Sequence, residues 1–432
     1  MKKISIIGLG YIGLPTAILA AECGYDVSGY DINETHVTNI NLGEISIVEP
    51  EIKERLAKAL KNKSFRVSTS LNYSDCFVIA VPTPIKNNKS PDISHVMDAA
   101  KTIASRLMPG NLIILESTVP VGTTEAMTEL LEDLSGLKSD IDFFTSHCPE
   151  RVLPGKIFKE VVENDRIIGS SSQKACDLSR LFYAKFVKGF LHITDDRTAE
   201  MVKLIENSSR DVQLAFANQV NMMCEKAGID TYKAIELANR HPRVEILSPT
   251  CGVGGHCVAV DPYFLINKFP EETTLLKAAR TINDAKPHHV LNKVFAKVQE
   301  FTKKKPKVFA LGLTFKPNVD DIRESPALFI AEELAAKKEL LSFVAYDSHI
   351  NKNIFANLNI ESANSIKEGI EEADIILILV KHKEFTLLNE EIFNKKIVID
   401  TCGLLYDFQK THAKELLKGA IKTVHSFENV SI

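Results

Sequence analysis

The sequence predicts an α/β fold in which two parallel-sheet domains are joined by a long central helix and a helical middle domain. Short, almost continuously apolar segments alternate with helical segments near both ends of the chain. This alternation is typical of parallel sheets covered by helices on both faces. Between the two regions, residues 195–227 contain neither proline nor glycine, so we expect one long helix over 195–228.

The individual elements follow from the same patterns in chain order. In the first region we expect strands at 2–8, 25–31, 65–69, 76–81, 112–116, 142–147 and 166–169, with a helix at 14–23. Beyond the long helix, helical segments continue through residue 237 and over 272–301. After a charged linker at 303–307, we expect strands at 307–312, 342–347, 374–380 and 396–401, with a helix over 325–338. The predicted domains are therefore 1–194, 195–302 and 307–432.

The charge pattern argues against nucleic acid as a partner. The 432 residues include 52 Lys and Arg against 56 Asp and Glu, which gives a net charge of −4. No long basic run is present, whereas phosphate-backbone binding needs clustered cations. The uncharged run at 4–21 is interrupted by three glycines and Pro15, so we do not expect a membrane segment.

The cysteines indicate a reducing compartment. Eight are scattered along the chain and none forms a C-x-x-C pair, so we predict a cytoplasmic protein without a disulfide framework. A zinc site would have to use the adjacent pairs His147-Cys148 and His256-Cys257. Adjacent pairs lack the usual ligand spacing, so we predict no metal site.

A glycine-rich segment follows the first strand and indicates a dinucleotide site. Gly8, Gly10 and Gly13 fit the pattern G-x-G-x-x-G, which permits a tight turn, close approach of a diphosphate and helix–strand packing. Asp31 closes the second strand, where an acid accepts hydrogen bonds from ribose hydroxyls and repels a 2′-phosphate. We therefore predict a Rossmann-like domain that binds NAD rather than NADP. FAD, or a turn that binds nothing, is the alternative.

Two further segments contain residues suited to catalysis. The run from Gly252 to Cys257 places a thiol after a loop of small residues, although a buried, inert cysteine is the commoner state. Lys203 and Asn207 are four residues apart on the long helix and share one face, which suits stabilisation of an oxyanion. Asp261 follows Cys257 by four residues. An ordinary solvated helix face is the alternative for the Lys–Asn pair.

Several cations fit recognition of a diphosphate. His241 and Arg243 belong to the compact segment Arg-His-Pro-Arg at 240–243, and Lys316 and Arg323 follow the first strand of the last domain. Arginine and lysine are the usual phosphate-binding side chains. Plain surface charge is the alternative.

Eight longer segments resemble one family, the UDP-glucose and UDP-N-acetylhexosamine 6-dehydrogenases. They are GLGYIGLP at 8–15, VPTP at 81–84, ESTVPVGTTE at 116–125, CPERVLPGK at 148–156, ENDRIIG at 163–169, RTAEMVKLIENSSRDV at 197–212, GVGGHCVAVDPYF at 252–264 and LTFKPNVDDIRESP at 313–326. The resemblance covers nearly the whole chain. It implies two Rossmann-like domains, a homodimer built on the long helix, and NAD-dependent oxidation of a UDP-sugar at C6 in two successive steps.

The resemblance also implies roles for individual residues. Cys257 corresponds to the nucleophile that forms a thiohemiacetal and a thioester. Lys203 corresponds to the acid/base or oxyanion partner. Asn207 and Asp261 correspond to residues that assist with the oxyanion and the water. Glu150 and Thr118 correspond to residues that order water. Positions near NAD are Gly8, Gly10, Tyr11, Ile12, Gly13, Asp31, Thr83 and Thr118. Positions near the UDP-sugar are Arg151, Val152, Lys203, Asn207, Arg210, His241, Arg243, Gly252, Lys316 and Arg323.

Shorter sequence features predict which UDP-sugar is the substrate. The run from Cys257 to Asp261 lacks the lysine usual in the UDP-glucose branch, and the segments GEISIVEPE at 43–51 and ANRHPRVEIL at 238–247 resemble the branch that oxidises UDP-N-acetyl-D-mannosamine. UDP-N-acetylglucosamine and UDP-glucose remain alternative substrates. A two-electron hydroxy-acid dehydrogenase and a non-catalytic NAD-binding sensor are remoter alternatives. Cys251, six residues before Cys257, departs from the Pro-Gly-Pro usual in the closer relatives.

Overall fold

The computed structural model describes residues 1–45, 47, 49–152, 155–302 and 304–412. Parts of four expectations lie outside the described residues: positions 46 and 48 of the segment 43–51, positions 153 and 154 of the segment 148–156, position 303 of the linker, and positions 413–432 of the last predicted domain. The described chain forms two compact units. The first contains Met1–Ser208 and Val260–Thr273, and the second contains Ser209–Ala259 and the described residues from Thr274 onward.

The first unit is built around an eight-stranded sheet. Its strands, in chain order, are β1 (Lys3–Ile7), β2 (Asp26–Tyr30), β3 (Phe65–Ser68), β4 (Cys76–Ile79), β5 (Leu112–Leu115), β6 (Phe144–His147), β7 (Arg166–Gly169) and β8 (Leu191–Thr194). The spatial order is β3-β2-β1-β4-β5-β6-β7-β8. The order of the first six strands is that of a Rossmann sheet, in which ligands bind where the order reverses, beyond β1 and β4.

The sheet differs from the expected one in two respects. β7 pairs with β6 in the antiparallel direction, through His147 and Gly169, so the sheet is not parallel throughout. The strand β8 was not predicted from the sequence, because its residues are half-buried or exposed and show no apolar alternation. The other strands lie where they were expected, within two residues at each end.

Helices cover this sheet. They are α1 (Gly13–Glu22), α2 (Glu34–Asn41), α3 (Ile52–Lys61), α4 (Ser94–Ala104), α5 (Thr123–Ser135), α6 (Ile157–Glu163) and α7 (Gln173–Tyr183). Side-chain caps fix two of the starts: the Asn33 side chain accepts from the His36 N–H at 3.0 Å, and the Ser172 hydroxyl accepts from the Ala175 N–H. The apolar residues of α1, β1 and β2 form a core that is almost inaccessible to solvent.

A single helix, α8 (Asp196–Ala227), continues from the first unit into the second. Its 32 residues correspond to a length of roughly 48 Å at 1.5 Å per residue. Asp195 caps it by accepting from the Thr198 N–H at 2.8 Å. Glu200 anchors its first turns to the start of α5, accepting from the N–H groups of Gly122 and Thr124 at 2.6 and 2.7 Å. The predicted long helix is confirmed.

The second unit contains a five-stranded parallel sheet in the order β11-β10-β9-β12-β13. Its strands are β9 (Lys307–Leu311), β10 (Ser342–Tyr346), β11 (Glu361–Ser362), β12 (Ile375–Ile378) and β13 (Ile397–Asp400). Its helices include α9 (Thr231–Ala238), α11 (Thr274–Gln299), α12 (Pro326–Ala335), α13 (Lys352–Asn357) and α14 (Ile366–Glu372), and α10 (Asp261–Lys268) lies in the first unit. No helix in the described ranges has the length and apolarity needed to cross a bilayer.

Candidate active site

The glycine-rich turn between β1 and α1 has the shape that a diphosphate needs. Gly8 has φ +88°, and a Cβ there would lie 2.6 Å from the Ala80 carbonyl oxygen. A Cβ on Gly13 would lie 1.9 Å from the Gly8 carbonyl oxygen. A Cβ on Gly10, by contrast, would meet no described atom within 4 Å. Gly8 and Gly13 are therefore required by packing, while Gly10 faces open space at the start of a helix, as a bound dinucleotide requires.

Asp31 is held rigidly at the end of β2. One carboxylate oxygen accepts from the Leu9 N–H at 3.0 Å, and the other accepts from the Asn33 N–H at 3.0 Å. The side chain is half-buried, so part of the carboxylate still faces solvent. These bonds tie Asp31 to the glycine-rich turn and orient it for ribose hydroxyls. Tyr11 and Ile12, in the same turn, are also half-buried.

The turns after β4 and β5 bring two further predicted cofactor positions together. The Thr83 hydroxyl donates to the Thr118 carbonyl oxygen at 2.6 Å, and both residues are half-buried. The Ser117 hydroxyl donates to the Val81 carbonyl oxygen at 2.7 Å. These turns lie at the carboxyl ends of adjacent parallel strands, the edge of a Rossmann sheet at which nucleotides bind. The residues present therefore fit NAD.

Glu150 belongs to a buried ionic network that sequence reasoning did not find. The Arg166 guanidinium donates from Nη2 to Glu150 Oε2 and to Glu116 Oε1, each at 2.8 Å. The Tyr183 hydroxyl donates to the same Glu116 oxygen at 2.6 Å, and the guanidinium carbon lies 4.2 Å from the Tyr183 ring centre. The other oxygen of Glu150 accepts from the Arg151 N–H at 2.7 Å. Glu150 is thereby fixed in a single orientation.

The network holds two carboxylates against one guanidinium inside the protein. Burial raises the pKa of Glu116 to about 7, with a further increase from Glu150, although Arg166 and the Tyr183 bond oppose the shift. The side chains of Glu116, Arg166 and Glu150 are 0%, 5% and 8% exposed. Charge balance in this interior therefore depends on Arg166.

Lys203, Asn207 and Asp261 come together in the first unit. The Asn207 amide donates to Asp261 Oδ2, and Asp261 is buried at the first position of α10. Burial raises the pKa of Asp261 to about 6, while the charge of Lys203 and the Asn207 bond act in the opposite direction. A carboxyl with this pKa is able to exchange a proton near neutral pH.

A cavity of about 360 Å³ adjoins this cluster. It is lined by Arg151, Val152, Asn164, Asp165, Lys203, Glu206 and Asn207. Arg151, Val152, Lys203 and Asn207 were predicted as substrate contacts. Asn164, Asp165 and Glu206 were not predicted, and Glu206 is the one charged side chain among them on α8. The position of Glu206 directly before Asn207 did not indicate a binding role, because an acidic residue on a helix is usually solvated. Arg210, three residues beyond Asn207, is exposed and does not line the cavity.

The cysteine loop lies in the second unit and is packed too tightly for larger residues. A Cβ on Gly254 would lie 2.2 Å from the Glu324 carbonyl oxygen, and one on Gly255 would lie 2.8 Å from the Phe315 ring. Gly252 is buried, and a Cβ there would lie 2.7 Å from Pro326. At the end of this loop, Cys257 is exposed.

Cys251 and Cys257 differ strongly in environment. Cys251 packs in the apolar core of the second unit, and burial raises the pKa of its thiol to about 12. Its neighbour Thr250 donates its N–H to Asn218 of α8 at 2.9 Å, which fixes the start of the loop. Cys251 is therefore a packing residue, and the exposed Cys257 is the better candidate nucleophile.

The remaining predicted cations belong to two segments of the second unit. His241 and Arg243 are exposed in the segment after α9. Arg323 is exposed and makes a forked ion pair with Asp321, whose carboxylate also lies 3.9 Å from His256. Lys316 is half-buried in the turn after β9. Burial lowers the pKa of His256, and the nearby charges of Arg323 and Lys316 lower it further, so these two cations lie close to the same imidazole.

An aspartate also follows the second strand of the second sheet, in the position that Asp31 has after β2, but this aspartate is buried. Asp347, directly after β10, accepts from the N–H groups of Leu313 and His349 at 2.7 and 2.9 Å and from His382 Nε2 at 3.0 Å. The His382 bond lowers the pKa of Asp347 even though burial opposes the shift. His382 Nδ1 accepts from the Asn318 N–H at 2.9 Å, so both ring nitrogens are engaged. Asp347 is buried and bonded on all sides within the protein, so it stabilises the fold, whereas Asp31 is only half-buried and is accessible to a ligand.

Comparisons with known proteins place these features in one family. Models of the UDP-glucose/GDP-mannose dehydrogenase family match residues 2–187 as the NAD binding domain, 197–285 as the central domain and 309–407 as the UDP binding domain. The matches confirm the family resemblance and the prediction of NAD.

Individual relatives match over most of their length. The chain is 45% identical to a UDP-N-acetyl-D-mannosamine dehydrogenase from Campylobacter jejuni, with 92% of this chain and 98% of that protein covered. It is 44% identical to an NDP-N-acetyl-D-galactosaminuronic acid dehydrogenase from Ralstonia nicotianae, with 93% and 96% covered. The solved structure of a UDP-D-ManNAc dehydrogenase from Pyrococcus horikoshii matches with a TM-score of 0.85 and 42% identity, covering 93% and 96% of the two chains.

Proposed function

The chain belongs to the UDP-glucose/GDP-mannose dehydrogenase family as an NAD-dependent UDP-sugar dehydrogenase, and we propose that its substrate is UDP-N-acetyl-D-mannosamine. The proposed reaction oxidises the C6 alcohol to the carboxylate in two steps. The relatives that carry this sugar in their names support the choice, and the relative named for N-acetyl-D-galactosaminuronic acid also supports an N-acetylated sugar. The single observation that carries the catalytic proposal is the Lys203–Asn207–Asp261 cluster beside a cavity.

The glycine-rich turn and the neighbouring strand ends are proposed to hold the cofactor. Gly10 would leave room for the diphosphate, Asp31 would bind the adenosine ribose, and Thr83 and Thr118 would contact the cofactor from the neighbouring strand ends. When bound, NAD accepts one hydride from the substrate carbon in each of the two oxidations. The remaining proposed nucleotide contacts are Gly8, Tyr11, Ile12 and Gly13.

Cys257 is proposed as the nucleophile. Oxidation of the alcohol gives an aldehyde, and the Cys257 sulfur adds to its carbonyl carbon to form a thiohemiacetal. The thiohemiacetal keeps a C–H bond, so a second oxidation yields a thioester. Water then attacks the thioester carbon, the C–S bond breaks, and the carboxylate leaves with the thiol regenerated. Each oxidation removes two electrons from the carbon as one hydride, so two molecules of NAD are reduced for each sugar.

Lys203 and Asn207 on α8 and Asp261 on α10 are proposed to stabilise charge and to transfer protons. Lys203 and Asn207 stabilise the oxygen that becomes negatively charged, as preorganised donors do. Asp261, whose pKa is raised to about 6, is suited to accepting a proton from the alcohol or from water. Glu150 and Thr118 are proposed to order that water, and Arg166 holds the Glu150 carboxylate in place.

The proposed UDP-sugar contacts include residues that line the cavity and residues of other segments. Arg151 and Val152 line the cavity with Lys203 and Asn207. The other proposed contacts are Arg210, His241, Arg243, Gly252, Lys316 and Arg323. Arg–phosphate contacts are usually bidentate and charge-assisted, which suits the diphosphate.

We propose three domains and a homodimer. The domains are residues 1–194 for NAD, 195–302 for dimerisation and catalysis, and 307–432 for the UDP-sugar. On α8, Ile205, Phe216 and Met223 are 48%, 52% and 55% exposed. Their separations of 11 and 7 residues place them on one helix face, which a second copy of the chain would bury. The cytoplasmic location remains a prediction.

The proposal is tested by counting NADH. Purified protein is incubated with limiting UDP-N-acetyl-D-mannosamine, UDP-N-acetylglucosamine or UDP-glucose, and we expect two NADH per molecule of the first. One NADH per sugar would favour the two-electron dehydrogenase. Cofactor binding without turnover on any UDP-sugar would favour the sensor.

The nucleophile is tested with two matched cysteine variants. Cys257→Ser is expected to stall with at most about one NADH per active site, because a serine hydroxyl is a much weaker nucleophile at neutral pH. Cys251→Ala is the control, since that thiol lies in the core, and it should keep two NADH per sugar. Wild-type turnover and stoichiometry in Cys257→Ser would refute the thiohemiacetal mechanism.

A further inference from the structure

The cavity of the first unit contains an ion pair between Arg151 and Glu206, and the proposed function gives Glu206 no role. Arg151 Nε donates to Glu206 Oε2 at 3.1 Å, and Nη2 lies 2.5 Å from Glu206 Oε1. A third bond runs from Arg151 Nη1 to the Asp165 carbonyl oxygen at 3.1 Å. The two side chains form a planar fork between the loop after β6 and the helix α8. Such forked pairs are the best-defined geometry of arginine with a carboxylate.

The position of the pair suits recognition of a ligand more than stabilisation of the fold. The side chains of Arg151 and Glu206 are 31% and 34% exposed, and both line the cavity that Lys203 and Asn207 also line. An ion pair with this exposure contributes little to folding, because solvent screens it. Glu206 lines the same cavity as Lys203 and Asn207, so a ligand that occupies this cavity lies close to it.

The pair keeps hydrogen-bonding capacity for a ligand. A guanidinium has five N–H donors, and the three described bonds leave one donor on each terminal nitrogen. Each carboxylate oxygen has a second lone pair. The charges of the pair cancel, so it has no preference for an anion such as phosphate. It suits a neutral group that offers an acceptor and a donor on different atoms.

We propose that Arg151 and Glu206 bind the acetamido group at C2 of the sugar and thereby determine the specificity for N-acetylated substrates. The guanidinium donates to the amide carbonyl oxygen, and the Glu206 carboxylate accepts from the amide N–H. A 2-hydroxyl presents its donor and acceptor on one oxygen atom, so it lacks the separate carbonyl and N–H groups by which an amide reaches the two partners. The proposal rests on the proposed function, since it assumes a UDP-hexosamine in this cavity.

The test compares binding of two ligands that differ only at C2. UDP-N-acetyl-D-mannosamine and UDP-D-mannose are titrated calorimetrically into the full-length protein, with UDP alone as a third ligand. In the wild type, the acetylated ligand is expected to bind roughly 10- to 100-fold more tightly than UDP-mannose, the effect of one or two charge-assisted hydrogen bonds. In Glu206→Gln this ratio should fall to about threefold or less, with the affinity for UDP unchanged.

Two further variants keep the result interpretable. Arg151→Lys keeps the positive charge but loses the fork, so the ratio should fall there as well. Glu125→Gln is the matched control: Glu125 forms an exposed forked pair with Arg197 near the start of α8, at 2.7 Å for both bonds, and lies outside the cavity. It should leave the ratio at its wild-type value.

The outcomes separate this proposal from the one on function. An equal loss of affinity for all three ligands in Glu206→Gln, or a wild-type ratio near one, would overturn the assignment of the pair. Failure of the proposed function would instead appear as an absence of NADH formation from every UDP-sugar by the wild type. The binding ratio is measured without turnover, so the two failures are distinct.

Discussion

Replacing Arg166 by methionine should destabilise the first unit in a pH-dependent way. Methionine retains an apolar stem of similar length but removes the cation that bridges Glu116 and Glu150, each at 2.8 Å. Both carboxylates would then remain in the interior without a partner of opposite charge. Breaking a buried ion pair by removing one member typically costs about 3–5 kcal/mol. For a cooperative unit of 150–250 residues, this corresponds to a decrease in Tm of roughly 6–20 °C.

The pH dependence follows from the pKa of Glu116. Burial already raises this pKa to about 7 from an ordinary value of 4.5, and Arg166 limits the increase. A carboxyl with a raised pKa binds its proton more tightly in the folded state, so it lowers stability as the pH rises through the window between the two values. Removing Arg166 raises the folded-state pKa further. The destabilisation of the variant should therefore be smaller at pH 5.5 than at pH 8.

Thermal unfolding, followed by calorimetry at pH 5.5 and 8, measures both effects. The control is Arg197→Met, which breaks the exposed pair with Glu125 and should leave Tm nearly unchanged at either pH, because solvent screens that pair. A decrease in Tm for Arg166→Met no larger than that of the control would refute the argument. An effect that is equal at the two pH values would show that Glu116 does not carry the unbalanced charge.

Three shorter predictions concern the two nucleotide sites. Asp31→Asn should raise kcat/KM for NADP relative to NAD by roughly tenfold, because the repulsion of a 2′-phosphate is removed; an unchanged ratio would exclude Asp31 as the determinant of cofactor choice. Gly10→Ala should weaken NAD binding while leaving Tm unchanged, whereas Gly13→Ala should lower Tm, because its Cβ would lie 1.9 Å from a carbonyl oxygen; comparable Tm losses in both would contradict this division. Arg243→Ala and Lys316→Ala should raise the KM for the UDP-sugar by about 10- to 100-fold, the effect of losing a charge-assisted contact, and a raised KM for NAD instead would assign them to the other site.

Much of the fold was predictable because its signals are local. Buried parallel strands are short apolar runs, and the long helix lacks proline and glycine, so both were found close to their observed bounds. The strand β8 was missed because its exposed residues give no periodic pattern. The two-residue strand β11 was missed because it is too short to have one.

The candidate site was predictable only where its residues are close in sequence or share a motif. The glycine-rich turn, Asp31 and the pair Lys203 and Asn207 satisfy this condition. Glu116, Arg166 and Tyr183 do not: Glu116 and Arg166 are 50 residues apart, and their ion pair depends on the neighbouring positions of β5, β6 and β7. The pair Arg151 and Glu206, 55 residues apart, depends on how α8 lies against the loop after β6.

The sequence by itself determined the strand and helix alternation, the dinucleotide turn, the family and the chemical identity of the candidate nucleophile. Each of these depends on residue types at fixed short spacings, which the chain carries before it folds. Only the tertiary structure decided which charged side chains are buried together, which of two cysteines 251 and 257 is exposed, and which carboxyls have raised pKa values. These properties arise from burial and from contacts between distant segments, because desolvation and pairing of charges depend on the packed surroundings of a residue and not on its neighbours in sequence.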